Sequence, residues 1–114
     1  VLAERIRASV EAHSFALPDG REIHATVSIG CVPFPLGPFL PMLPWETAVH
    51  LADRGLYAVK RSGRNGWITL QEGPAFTPEP LRQHQGHPDI PSLLEASILE
   101  VRTSVPTIDP EAWT

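Results

Sequence analysis

A chain of 114 residues has room for one domain with a modest core and hardly for two. Its formal net charge is −4, with seven acids and seven bases in residues 1–73 but six acids and two bases in residues 74–114. A nucleic-acid-binding protein needs a basic face, so this balance argues against a nucleic-acid partner. The single cysteine, Cys31, excludes an intrachain disulfide and suits a reducing compartment, and its strand-like surroundings indicate an inert buried thiol.

The chain carries no recognisable membrane or secretion signal. No apolar run approaches the roughly 20 residues that a membrane-spanning helix needs, and no signal peptide is present, so we expect a cytoplasmic location. A helical pattern already begins at Val1, without a capping residue or an initiator methionine. We therefore expect a longer parent polypeptide. A segment upstream of Val1 could anchor that parent in a membrane.

The first third of the chain predicts a helix followed by a hairpin. Apolar residues at helical spacing predict an amphipathic helix over residues 1–13: Leu2, Ile6 and Val10. A Pro-Asp-Gly turn at 18–20 separates a short extended piece at 15–17 from the clearest strand pattern, residues 22–32. In that strand one face is apolar: Ile23, Ala25, Val27, Ile29 and Cys31.

The middle of the chain predicts a proline-rich loop, a long helix and a strand. Five prolines at 33–44 exclude a regular helix, and the apolar residues between them leave two interpretations open, a loop packed over its own domain or a docking surface for another chain. The helix follows from Trp45, with a stripe formed by Ala48, Leu51, Ala52, Gly55, Leu56 and Val59. Gly63 ends the helix by taking the left-handed conformation, and residues 67–70 form a strand.

The last third has a different composition. Residues 72–91 are rich in Pro, Gln, Gly and His, which is typical of a linker. Residues 92–114 form a tail in which Ser92 and Glu95 have capping-box spacing and predict a short amphipathic helix through Val101.

Few side chains are placed for chemistry. His84 and His87 have the spacing of a metal pair, but they lie in a proline-rich segment without a nearby cysteine, so we interpret them as solvated. His24 and His50 stand alone. Asp53 lies in the middle of the long helix with no second carboxylate nearby, which favours a structural role over acid–base catalysis.

Lys60 and Arg64 are the candidates for binding, because they flank the end of the long helix four residues apart. Two interpretations are open. The cations offset the negative end of the helix dipole, or a lysine point charge and a planar guanidinium converge on phosphate oxygens.

Three segments appear in the order and spacing of a known family: residues 3–7 (AERIR), 25–30 (ATVSIG) and 52–65 (ADRGLYAVKRSGRN). Together they resemble the C-terminal half of the GGDEF family, the diguanylate cyclases, over about residues 1–71. The resemblance implies an α/β (α+β) chain with the palm-type nucleotidyl cyclase fold, a mainly antiparallel central sheet flanked by helices, present here as a C-terminal fragment. The chain then divides into 1–71, a linker at 72–91 and a tail at 92–114.

The resemblance also implies a function. The family comprises bacterial signalling enzymes that condense two GTP molecules into cyclic di-GMP with Mg²⁺, in two facing domains, so a homodimer is expected. Lys60 and Arg64 match residues that contact the outer phosphates of GTP. Arg5 matches an arginine that helps to bind the cyclic product at an inhibitory site in some members.

The chain departs from the family pattern in what it lacks. The GGDEF turn, the metal-binding strand and the guanine-recognising residues are not in the sequence, so we expect this fragment alone to be inactive. An alternative is a degenerate, non-catalytic domain that acts as a sensor of GTP or cyclic di-GMP or as a protein-interaction module. Because a partial sheet leaves residues 22–32 short of hydrogen-bonding neighbours, we also expect marginal stability, dimerisation or aggregation unless the tail helix substitutes.

Overall fold

The computed structural model describes residues 2–36, 43–83 and 88–113. In chain order its elements are α1 (Leu2–Ala12), β1 (Ser14–Ala16), β2 (Glu22–His24), β3 (Ile29–Cys31), α2 (Trp45–Arg61), β4 (Trp67–Glu72), α3 (Glu79–Gln83), α4 (Ile90–Glu95), β5 (Leu99–Thr103) and a C-terminal 3₁₀ helix (Pro110–Trp113). The predicted helices at the start and middle of the chain are thereby confirmed, as is the strand that follows α2.

The described strands form two separate open sheets. β1 and β2 pair antiparallel as the predicted hairpin, with Phe15 opposite Ile23. The other sheet has the order β3-β4-β5, in which β3 and β4 are parallel and β4 and β5 are antiparallel. This mixed architecture is compatible with the expected α+β class, whereas the palm-type cyclase arrangement stays a prediction.

The core lies between α2 and the three-stranded sheet. Leu51 and Val59 of α2 and Ile68 and Leu70 of β4 have no solvent-exposed surface. The helical spacing of the apolar residues of α2 places one stripe against the sheet, as the sequence predicts. Gly30 allows β3 and α2 to approach each other closely, because a Cβ atom at this position would overlap the backbone of α2.

The prediction of one continuous strand over residues 22–32 is wrong. The structure has β2 and β3 in different sheets, separated by residues 25–28, which have no regular structure. Ile23 is exposed in the outlying hairpin, whereas the amide of Ile29 donates a hydrogen bond of 2.9 Å to the Gly66 carbonyl and starts the pairing with β4. The alternation of apolar residues continues through residues 25–28 because it depends on the extended conformation of the chain and not on which strand it pairs with.

The prediction of a helix through Val101 is also wrong. α4 ends at Glu95, and Leu99–Thr103 is strand β5, in which Val101 pairs with Leu70. Ser97, with a left-handed φ of 60°, turns the chain between the two elements. The helix is capped by Asp89, whose carboxylate accepts hydrogen bonds from the amide and hydroxyl of Ser92. Pairing with β4 places Leu99 in the core and selects the strand over a continued helix.

The predicted linker at 72–91 contains regular structure and buried residues where the structure describes it. It contains α3, and Phe76, Leu81 and Ile90 are buried in the same hydrophobic cluster as α2 and β4. His84 and His87 lie outside the described residues. The domain boundaries at 71/72 and 91/92 stay a prediction.

The proline-rich loop is described only at its ends. Leu36 and Leu43 are buried in the core, as expected of a loop that packs over its own domain. Residues 37–42 lie outside the described part of the chain, so the docking interpretation of that segment stays open. None of the described helices combines the length and apolar composition needed to cross a bilayer.

Candidate functional site

The candidate site is the C-terminal end of α2. The amides of Ser62 and Arg64 both donate to the Val59 carbonyl at 3.0 Å, and Gly63 has a φ of +110°. The bond from Arg64 spans the last turn, as in a Schellman closure. Lys60 lies in that turn and Arg64 lies just beyond it. The predicted glycine-closed helix end is therefore confirmed, and it carries both cations.

Both candidate cations are exposed to solvent. Neither Lys60 nor Arg64 forms an ion pair with an acid in the described ranges. A helix C-terminus repels anions through its own dipole, so any attraction for an anionic ligand must come from these side chains. The geometry is compatible with both interpretations of the pair, dipole compensation and phosphate binding.

The turn after α2 has an uncommon backbone conformation. Gly63, Arg64 and Asn65 have φ values of 110°, 62° and 49°, so three successive residues are left-handed. A left-handed conformation costs a residue with a side chain roughly 1–2 kcal/mol, somewhat less for asparagine. Contacts with other elements help to hold this turn, and those of the Asn65 side chain come from α1.

A group of five side chains, which we call the Arg7 network, joins α1 to this turn: Glu4, Arg7, Glu11, Asn65 and Trp67. Nε and Nη2 of Arg7 donate to the two carboxylate oxygens of Glu4 at 2.9 and 2.8 Å, and its Nη1 donates to Oδ1 of Asn65 at 3.0 Å. Asn65 in turn donates through Nδ2 to Glu11, and the Trp67 indole donates to Glu4 at 3.0 Å. The network therefore reaches both the turn and the first residue of β4.

The electrostatics of the Arg7 network follow from these hydrogen bonds. The bond from Arg7 lowers the pKa of Glu4 to about 2, with the Trp67 indole adding to the effect. The bond from Asn65 lowers the pKa of Glu11, and the bond to Glu4 raises the pKa of Arg7. The carboxylates thus stay ionised across the physiological range, and so does the guanidinium.

A second cationic cluster lies on the exposed side of α2. Lys60 lines a shallow depression together with Asp53, Arg54, Leu56 and Tyr57. The guanidinium groups of Arg54 and Arg61 lie 5.3 and 5.5 Å from the centre of the Tyr57 ring. Arg54 also donates a hydrogen bond to the Trp113 carbonyl, so the 3₁₀ helix is tied to this surface. Asp53, which lines the same depression, is exposed.

Arg5 lies apart from these contacts. It is exposed on α1, where it lines a shallow groove with Leu2, Ile6, Ser9 and Val10. The structure therefore places Arg5 on the helix that contacts the α2 end, but the contact is made by Arg7 and Glu11. Sequence reasoning missed Arg7, although its spacing of three and four residues from Glu4 and Glu11 is a signal of helical ion pairs.

The remaining candidates show no reaction centre. Cys31 is half-buried in β3 as a free thiol, His24 is exposed, and His50 is half-buried. Within residues 2–36, 43–83 and 88–113, no group of three or more His, Cys, Asp or Glu side chains is close enough to hold a metal ion. The magnesium ion implied by the resemblance stays a prediction for an intact domain.

Comparison with known proteins connects the chain to one class of enzyme. It is 38% identical over 63 residues to Diguanylate cyclase DosC of Escherichia coli strain K12, a match that covers 55% of this chain and 13% of the relative. The proteins of the same name from Escherichia coli O157:H7 and Shigella boydii serotype 4 match to the same extent. The chain thus spans 13% of the length of these curated relatives. No family model matches it, and no solved structure does.

These matches support a sequence relationship to diguanylate cyclases over about half of the chain. The matched relatives are named diguanylate cyclases, the same class of enzyme that the resemblance to the GGDEF family implies.

Proposed function

We propose that this chain is the C-terminal part of a diguanylate cyclase domain, in which the end of α2 binds the outer phosphates of GTP. The observation that carries the proposal is the 38% identity to DosC over 63 residues. The position of Lys60 and Arg64 on one glycine-closed helix end supports it, because two exposed cations without acidic partners in the described ranges are free to meet an anion.

The two cations contribute differently to such a site. Arg64 offers a planar fork of donors that suits two phosphate oxygens at once, whereas Lys60 offers a compact charge on a flexible stem. Both side chains start from the same helix end, so a chain of linked phosphates is a better match than a single phosphate. Hydrogen bonds to charged groups contribute about 1.5–3 kcal/mol each.

We also propose that the chain on its own does not catalyse condensation. Phosphoryl chemistry of this kind requires metal-held carboxylates that orient the α-phosphate. The GGDEF turn is not in the sequence, and the described residues offer no cluster of three metal-ligating side chains. The role of this chain is thus to bind the outer phosphates and to neutralise part of their charge through Lys60 and Arg64.

Calorimetric titration of the protein with GTP and Mg²⁺ tests the binding. We expect Lys60→Ala and Arg64→Ala each to weaken binding about tenfold, which corresponds to about 1.4 kcal/mol. Arg102→Ala is the matched control, because Arg102 is an exposed arginine on β5, and it should leave the affinity unchanged. Equal affinities for all four proteins would favour the dipole interpretation.

Incubation with GTP and Mg²⁺, followed by chromatography for cyclic di-GMP, tests the inactivity. We expect no product, and appreciable product would contradict that part of the proposal. The alternative of a non-catalytic nucleotide sensor makes its own prediction: a longer parent protein would bind GTP or cyclic di-GMP through the same cations and still form no product.

A further inference from the structure

The left-handed turn that carries Arg64 is held from outside the turn. Asn65 uses both ends of its side-chain amide, accepting from Arg7 at 3.0 Å and donating to Glu11. An amide that is bonded at both ends cannot rotate without breaking a hydrogen bond. The residue next to Arg64 is therefore fixed to α1 and not only to its own turn.

The Arg7 guanidinium is itself fixed. Glu4 engages it through two parallel hydrogen bonds of 2.9 and 2.8 Å, a geometry that sets the plane of the fork. Glu11 approaches Nη1 of Arg7 at 3.4 Å, and the side chain of Arg7 is only 17% exposed. Glu4 also accepts from the indole of Trp67, which begins β4. α1 is therefore tied to the turn at Asn65 and to the start of β4 at Trp67.

Stability of α1 alone does not account for this arrangement. Pairs of Glu4 and Glu11 with Arg7 would stabilise the helix by themselves, without any partner in the turn. In addition, Ala3 is the only buried side chain of α1, and Leu2 and Ile6 on the same helix are exposed. Where α1 meets the α2–β4 turn, the contact is thus polar and directional, which suits the placement of a neighbouring side chain.

We propose that Arg7 and Asn65 are positioning residues for Arg64, holding the left-handed turn so that the Arg64 guanidinium is presented to the outer phosphates. This inference rests on the proposed phosphate-binding role of Arg64. Arg7 and Asn65 touch no phosphate in this scheme; they act through the backbone of the turn. A shift of α1 would consequently reach the phosphate-binding arginine through Asn65.

Asn65→Gly isolates the effect. Glycine adopts the left-handed conformation freely, so the turn remains allowed while both side-chain hydrogen bonds are lost. Inorganic tripolyphosphate is the probe, titrated by calorimetry at low ionic strength. We expect Asn65→Gly to weaken its binding about fivefold, the size of a typical coupling between contacting residues, and Arg7→Gln to do the same.

Gly20→Ala is the matched control for stability. Gly20 has a φ of +88° and open space around its α-carbon, so the substitution strains a turn of the β1–β2 hairpin and leaves the Arg7 network intact. It should leave tripolyphosphate affinity unchanged within twofold. Should Arg7→Gln fail to fold, Asn65→Gly carries the test.

A double-mutant cycle separates positioning from a general structural role. If Asn65 acts through Arg64, then Asn65→Gly should cause no further loss of affinity once Arg64→Ala is present. An equal loss in both backgrounds would overturn the inference. A loss with Arg64→Ala but none with Asn65→Gly or Arg7→Gln would overturn it too, while leaving phosphate binding by Arg64 in place.

Failure of phosphate binding itself gives a different pattern. If the wild-type protein shows no binding of tripolyphosphate, or Lys60→Ala and Arg64→Ala bind as the wild type does, the proposed function fails. The fixation of the turn is then judged by the backbone NMR order parameter of Arg64. We expect it to fall from about 0.85 in the wild type to below about 0.6 in Asn65→Gly. An unchanged value would show that α1 does not hold the turn.

Discussion

A methyl group added at Gly30 tests the packing of β3 against α2, on which the core depends. In the Gly30→Ala variant the new Cβ atom would overlap the Ala52 carbonyl oxygen and lie 2.6 Å from the backbone nitrogen of Leu56. It would also lie 3.0 Å from Cβ of Leu56. These atoms belong to the backbone of α2 or are fixed to it, so no change of rotamer relieves the overlap. The helix must move away from the sheet.

The size of the effect follows from the nature of the contact. Overpacking a core costs about 1–3 kcal/mol, and the upper end applies here because the neighbours are backbone atoms. A loss of about 3 kcal/mol is a large share of the 5–15 kcal/mol that typically stabilises a domain. Gly20→Ala is again the control: its cost is conformational only, about 1 kcal/mol, because nothing lies within 4 Å of the new methyl group.

Urea unfolding monitored by far-UV circular dichroism measures both variants. With a typical slope of about 2 kcal/mol per molar urea, Gly30→Ala should lower the midpoint by about 1.5 M and Gly20→Ala by about 0.5 M. A Gly30→Ala protein that unfolds at the midpoint of the control would refute the close approach of β3 and α2. The glycine of the ATVSIG segment would then need an explanation other than packing.

Three further predictions concern stability. In the folded chain the pKa of Glu4 is lowered from 4.5 to about 2. The stability that ionised Glu4 contributes is therefore complete above about pH 4.5 and is lost as the pH falls toward 2. Urea midpoints measured between pH 2 and 6 should fall with acid, and they should fall less steeply in Glu4→Gln. An identical slope in the variant would contradict this. Leu99→Ala should lower the free energy of unfolding by about 3 kcal/mol, because Leu99 is only 1% exposed. The control Leu2→Ala changes a residue that is 69% exposed and should alter it by no more than about 0.5 kcal/mol. Similar urea midpoints for the two variants would argue that β5 is not packed against the core. Gly63→Ala should cost about 1 kcal/mol from its φ of +110° alone, and a neutral effect would exclude the left-handed helix end.

The elements that the sequence predicts correctly are those defined by local signals. Helical spacing identifies α1 and α2, the Pro-Asp-Gly turn identifies the hairpin, and Gly63 identifies the end of α2. Each of these signals acts over a few neighbouring residues. No distant partner is needed to interpret them.

The errors occur where a distant partner decides the structure. Residues 22–32 keep one alternating pattern although their two halves pair with different strands. Leu94, Ile98 and Val101 have a spacing that fits a helix, but pairing of residues 99–103 with β4 selects the strand. Short apolar runs are ambiguous between the two structures until the neighbouring strand is known.

The candidate site shows the same division. The position of Lys60 and Arg64 at a closed helix end could be predicted from spacing and from Gly63. The tie between Arg7 and Asn65 could not, because 58 positions separate the two residues in sequence.

The antiparallel strand β5 has a practical consequence for anyone who shortens this protein. A version ending near residue 71 would retain every motif shared with the cyclases, yet one whole side of β4 would have unsatisfied amides and carbonyls. Such an exposed border attracts strands from other molecules and promotes aggregation. Poor solubility of the truncated form would then reflect the loss of this strand and of core side chains such as Phe76 and Ile90, and not a defect of the cyclase-like residues.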